Sequence, residues 1–177
     1  MIKFLLKKST VFFVSIAAVL LASCGVYTFK DISIDYSKIK TVKIGFLENR
    51  ASYKNPQLSS RLTDQLQQKI SSQTKLTRTN NDDANLQISG YISSYSISTA
   101  GISSQPGSRQ QAATNRLTVG VHINVLNNVE NKTDQYDVSR AFDFSAGLTL
   151  QQAESQLLDD IIKNVTDEIF NKIFSNW

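Results

Sequence analysis

Within the stretch 115–126, residues 116–125 alternate without a break between apolar side chains and polar or small ones. Leu117, Val119, Val121, Ile123 and Val125 point one way; Arg116, Thr118, Gly120, His122 and Asn124 point the other. A period of two sustained over this length is the pattern of a strand with one buried face. Such a strand cannot stand alone, because its apolar face must be covered by a second layer. The C-terminal stretch supplies one. Over 150–174, Leu150, Ala153, Leu157, Ile161, Val165, Ile169 and Ile173 recur at helical spacing, and Leu158, Ile162, Phe170 and Phe174 widen the stripe. A helix with so wide an apolar face is expected to lie flat on a sheet. Thr149 is the expected N-cap, and Glu154 sits where the helix dipole favours an acid.

The remaining segments fit the same two layers. Thr41 to Leu47 is β-rich, with Val42, Ile44 and Phe46 alternating with polar or small residues. A helix is predicted over 57–72, with Leu58, Leu62, Leu66 and Ile70 forming one stripe and Pro56 at its entrance, where a missing N–H costs nothing. Asn80 to Asp83 is a turn cluster. Ala84 to Tyr95 reads as a strand, with Leu86, Ile88 and Ile92 on one face and Tyr91 and Tyr95 on the other. Residues 96–114, of low complexity in Ser, Gln, Gly and Ala, read as a long mobile connection. Asp134 to Phe144 returns as a strand with Tyr136, Val138, Phe142 and Phe144 in phase. Arg140 interrupts that face, which places it at an edge or against an acidic partner. The expected fold class is α+β: a two-layer sandwich, with two helices on one face of a small mixed, mostly antiparallel four-stranded sheet. The order is strand, helix, strand, strand, strand, helix.

The beginning of the chain is of a different kind. Lys3, Lys7 and Lys8 precede an apolar run from Val11 to Leu21 broken only by Ser15. About 11 residues suits the core of an export signal and falls short of the roughly 20 needed to cross a bilayer. Leu21-Ala22-Ser23 is followed by Cys24, the only cysteine. This is the pattern of a lipobox. A lone cysteine in an exported protein has no internal disulfide partner, and lipidation gives it a role. The expected organisation is a removed lipoprotein signal peptide (1–23), a lipidated N-terminal tether (24–40) beginning at Cys24, and a single domain (41–177). Gly25 after the cysteine, with no acidic run behind it, points to the periplasmic side of the outer membrane.

Loss of the signal changes the charge argument. The formal charge of +4 includes Lys3, Lys7 and Lys8, so the mature chain carries only +1. Nothing in that balance points to nucleic acid. The glycines form no phosphate-binding pattern. One histidine, His122, and no cysteine beyond Cys24 leave no expected metal site, cofactor or catalytic triad. On the polar strand face, His122 is expected to be a solvated surface residue. Asp159 and Asp160 are adjacent on a helix and share no face, and Asp82-Asp83 suits a turn, so neither pair is a catalytic dyad. The expectation is a protein that is not an enzyme. The basic residues Arg109, Arg116, Lys132 and Arg140 read either as scattered solubility charges or as a contact surface for lipid phosphates.

Ordered pieces along the mature chain carry a family resemblance. They are Cys24-Gly25 with Tyr27 and Phe29; Phe46 with Asn49-Arg50-Ala51; Asn55-Pro56 with Leu58-Ser59; Thr63-Asp64 with Leu66; and Gln73-Thr74 with Leu76. Gly90-Tyr91 follows, then Ala112-Ala113 with Asn115 to Val119, Ile169 to Lys172, and Asn176-Trp177. In their order and spacing these pieces resemble a divergent branch of the LptE family, lipoproteins of lipopolysaccharide assembly. The resemblance implies helices packed on a small mixed sheet and no catalysis. It implies an LptD-like outer-membrane β-barrel partner, whose lumen the protein plugs and whose assembly it assists. It also implies contact with lipopolysaccharide through basic residues, for which Arg116, Lys132 and Arg140 are the candidates, and membrane attachment through the N-terminal lipid. The alternative reading from the residues alone is a free-standing periplasmic lipoprotein that binds a lipid or other small apolar ligand.

Overall fold

The computed structural model describes residues 34–103 and 111–175, leaving aside the side chains of 102, 103 and 111–113. The expected signal peptide, Cys24, Arg109 and Trp177 lie outside the described residues. The elements are β1 (Thr41–Ile44), β2 (Glu48–Asn49), α1 (Leu58–Gln73), β3 (Thr77–Arg78), β4 (Leu86–Ser103), β5 (Gln111–Asn127), β6 (Lys132–Ser145) and α2 (Leu150–Phe174). Both helices and the two-layer α+β arrangement match the sequence expectation.

The sheet corrects that expectation in two respects. It has six strands, not four, in the order β3-β1-β4-β5-β6, with β2 pairing on β4. Three of its five strand pairings, β1 with β3, β1 with β4 and β2 with β4, are parallel. Only β4–β5 and β5–β6 are antiparallel. The physical reason is length. β2 and β3 are two residues each, too short to carry a period-two pattern. β2 continues the line of β1 along β4: β1 pairs with Leu86–Ile88 and β2 with Tyr91 and Ile92.

The 96–114 segment is a second correction. Strand β4 runs on to Ser103 and β5 starts at Gln111, so most of the expected mobile connection is paired backbone. Its Ser, Ala, Gly and Gln residues take their extended form from the partner strand, not from their own propensity. A third correction concerns phase. A register shift between Ile92 and Ser94 inserts one extra residue into β4. The bulge turns Tyr95 onto the same side as Leu86, Ile88 and Ile92, where it is buried.

The layer between sheet and helices is filled. Leu58, Leu62, Leu66 and Ile70 of α1, Ile161 and Ile169 of α2, and Leu117 and Ile123 of β5 are fully enclosed. Leu47 joins them from the β1–β2 connection. Its amide donates to the Thr63 hydroxyl (3.1 Å), which itself donates to the Ser59 carbonyl (2.7 Å), so a buried hydroxyl ties that connection to α1. Two ion pairs lace the helices together: Arg61 with Asp159 (2.6 Å) and Lys69 with Asp167 (2.8 Å). Both pairs advance in the same direction along α1 and α2, so the helices run side by side and parallel. Thr149 caps α2 as expected, in a capping box with Gln152. Ile34, Tyr36 and Ile39, at the end of the segment expected as tether, pack on the core.

Candidate functional site

With both helices on one side, the other face of β4–β5–β6 is open and polar. The register lines up one row across it: Glu48 opposite Tyr91, Tyr91 opposite His122, and His122 opposite Asp137. The side chains of this row touch. The Arg50 guanidinium carbon lies 4.5 Å above the centre of the Tyr91 ring, and Arg50 Nη2 is 3.1 Å from Glu48 Oε2. The rings of Tyr91 and His122 are 5.2 Å apart and tilted by 35°. His122 Nδ1 lies 2.8 Å from Asp137 Oδ1. His122 does face outward, but only 19 % of its side chain is exposed. It is therefore not the solvated residue expected from the sequence. An Arg and a Tyr stacked on a flat open sheet are residues of the type that anchor protein interfaces. The row holds no activated nucleophile, and among the described residues no group of His, Cys, Asp and Glu converges on a metal position.

The three cations proposed from the sequence do not converge. Arg116 lies on the open face in a two-pronged pair with Asp143 (2.7 and 2.9 Å). That pair holds the Asp143 carboxyl below the usual carboxylate range. Lys132 sits at the opposite end of the β5–β6 hairpin, 3.0 Å from Asp134, which raises its ammonium above the ordinary lysine range. The eleven residue steps from Lys132 to Asp143 along β6 span roughly 37 Å. Arg140 occurs in the phase that faces the helices, on the edge strand, and pairs with Glu168 of α2. Both halves of the expectation for Arg140, an edge position and an acidic partner, are met. Each of the three cations already has a carboxylate, and they occupy three different parts of the surface.

A second polar cluster lies at the other end of the helix layer, and sequence reasoning missed it. Glu154 of α2 is 8 % exposed. Tyr95 donates to its Oε1 (2.6 Å) and Tyr53 to its Oε2 (3.1 Å). The two tyrosine rings stack with centroids 5.4 Å apart. Burial pushes the Tyr95 hydroxyl far above the ordinary tyrosine range, and the Glu154 carboxylate pushes it further. Tyr53 is raised in the same way. The only signal in the sequence was an acid placed near the start of α2; the β4 bulge that brings Tyr95 to it leaves no local pattern.

The raised hydroxyl has a consequence for stability. Above about pH 10 the unfolded chain releases the Tyr95 proton while the folded chain retains it. The contribution is complete below that pH and is lost as pH rises through the folded value. Wild-type stability should therefore fall above pH 10 more steeply than that of Tyr95→Phe. Urea melts at several alkaline pH values will check this, and parallel slopes for the two proteins would refute it.

Residues 39–173 match the family model described as Lipopolysaccharide-assembly, LptE. No curated protein matches the sequence. Among solved structures, a Xanthomonas campestris protein superposes with a TM-score of 0.51 at 9 % identity, covering 80 % of this chain and 85 % of that one. Rare lipoprotein B from Shewanella oneidensis gives a TM-score of 0.47 at 14 % identity, covering 74 % of this chain and 92 % of that one. At such identities the Xanthomonas likeness speaks for a shared fold alone.

Proposed function

The chain belongs to the LptE family of lipopolysaccharide-assembly proteins, and from that premise we propose that it is an outer-membrane lipoprotein that partners an LptD-like β-barrel. The family match carries the reading, because it runs from Ile39 in the core to Ile173 near the end of α2. In this reading the lipid on Cys24 holds the domain at the periplasmic side of the outer membrane. The domain plugs the barrel lumen and assists lipopolysaccharide transport and insertion at the cell surface. It carries out no catalysis.

Two features support a plug over a carrier of a small apolar ligand. The interlayer space is occupied by side chains such as Leu62, Leu66, Ile161 and Ile169. The open sheet face is polar, which suits the polar interior of a large barrel. Lipopolysaccharide phosphates would be met by Arg116, Lys132 and Arg140, each exchanging its carboxylate partner for a phosphate oxygen. The barrel and lipid roles separate in one experiment. Capture of the lipidated protein from solubilised outer membranes should recover a large β-barrel. The variant Arg116→Gln/Lys132→Gln/Arg140→Gln should recover the same barrel but bind less lipopolysaccharide. Capture of soluble proteins alone would overturn the barrel reading; undiminished lipopolysaccharide binding would return the three residues to solubility charges.

A further inference from the structure

The Glu154 cluster is the wall of a cleft, and among the described residues that cleft lacks a cation. It lies between the segment entering α1 and the first turns of α2, has a volume of about 390 Å³ and, among the described residues, has no Lys or Arg in its lining. Tyr53, Asn55 and Gln57 form one wall; Gln151, Glu154 and Leu158 form the other. Among the described residues Glu154 has no basic partner. The nearby helix cation Arg61 is taken by Asp159. A carboxylate removed from water requires either a counter-charge or a full set of donors. Its two oxygens offer about four acceptor sites, and the two tyrosines fill two of them. Neither tyrosine can serve as the counter-charge, since a phenol is neutral when protonated and negative when ionised.

The geometry points to a guanidinium as the missing group: we propose that this cleft receives an arginine side chain of the barrel partner, paired with Glu154 and lying over the Tyr53 ring. This rests on the barrel reading above and assigns one surface to it. The cleft fits arginine better than lysine for three reasons. Tyr53 is 42 % exposed and lines the cleft, and a planar guanidinium stacks on an aromatic ring. The Gln57 and Gln151 amides offer further acceptors for a fork with five N–H donors. Leu158 and Pro56 give the aliphatic stem an apolar wall. The site is separate from Arg116, Lys132 and Arg140, and its charge is opposite to what a phosphate would need.

The test has two arms. In the first, ethylguanidinium is titrated into the purified full chain while the Tyr53 and Tyr95 ring resonances are followed. Saturable shifts are expected, stronger than with ethylammonium and absent in Glu154→Gln. No saturation, or equal binding by the variant, overturns the proposal. In the second, the barrel is captured with wild type, Glu154→Gln and Gln151→Arg. Gln151 is three residues before Glu154 on the same helix face, so arginine there fills the cleft from within and keeps the cluster charged. Both variants should recover the barrel about tenfold less well, or worse. Gln151→Arg should also melt no lower than wild type, which separates blocked docking from misfolding. Capture at wild-type levels by both variants overturns the proposal and leaves the barrel reading intact. A wild type that captures no barrel defeats the barrel reading, and the ethylguanidinium arm then decides alone whether the cleft takes a guanidinium.

Discussion

Alanine at position 90 should cost the domain about 3 kcal/mol, lowering its thermal midpoint by roughly 6–12 °C for a chain of this size. The reason is backbone, not side chain. A Cβ on Gly90 would lie 2.2 Å from the His122 carbonyl oxygen and 3.0 Å from Ile123 Cδ1. Gly90 pairs with Ile123 inside the β4–β5 ladder, so the clash is relieved only by prying the two longest strands apart. Ile88, Ile92, Val121 and Ile123 are buried on either side of that point and move with it. Gly120→Ala is the control. Its Cβ would meet Ser94 Oγ at 2.3 Å and Ser93 Oγ at 3.1 Å, both ends of small side chains that can rotate away. It should cost within about 1 kcal/mol, helped by the smaller entropy loss of alanine on folding. Equal losses in the two variants, read from urea or thermal melts, would exclude backbone contact as the cause.

The second large effect is all-or-none and concerns Cys24. Wild type grown with an alkyne-bearing fatty acid should carry the label, and Cys24→Ser should carry none, because the chain has no other thiol to accept it. Replacing residues 1–24 with a cleavable export signal that lacks a cysteine should move the domain from the membrane pellet to the periplasmic supernatant. Each buried CH₂ contributes about 0.8 kcal/mol, and it takes more than one acyl chain to make attachment stable, so loss of the modified residue should leave almost nothing bound. A released domain that still sediments with membranes would show that protein contacts hold it there. An unlabelled wild type would remove Cys24 from the anchoring role.

Parts of the fold and site were legible in sequence to different degrees. The stripes of α1 and α2 could be read residue by residue, and the same residues are buried in the structure except Leu150, Leu157 and Ile173, which are partly buried against the core. The alternation of β5 placed Leu117 to Val125 inward and Arg116 to Asn124 outward, as observed. The two-residue strands β2 and β3 were not legible, since two residues hold no period. The far halves of β4 and β5 were hidden for another reason: Ile97 and Thr99 favour a strand, but the serines, alanines and glycine around them do not, and it is pairing with Arg116 to Thr118 and their neighbours that extends them. For the candidate site, the sequence contained Arg50, Tyr91, His122 and Asp137 as isolated residues on four separate segments. Nothing local placed them in one row.

The sequence by itself determined which side of each helix and strand is apolar, because that depends on spacing within a single element. It thereby determined that two layers must meet, and that one face of the sheet stays polar. Only the tertiary structure decided register, bulges and which strands are neighbours. Those depend on hydrogen bonds and packing between segments far apart in the chain, where a shift of one residue exchanges the two faces. The bulge at Ile92–Ser94 is such a shift. It carries Tyr95 from the polar face to the core and sets it against a glutamate 59 positions away, whose buried carboxylate has no cation among the described residues.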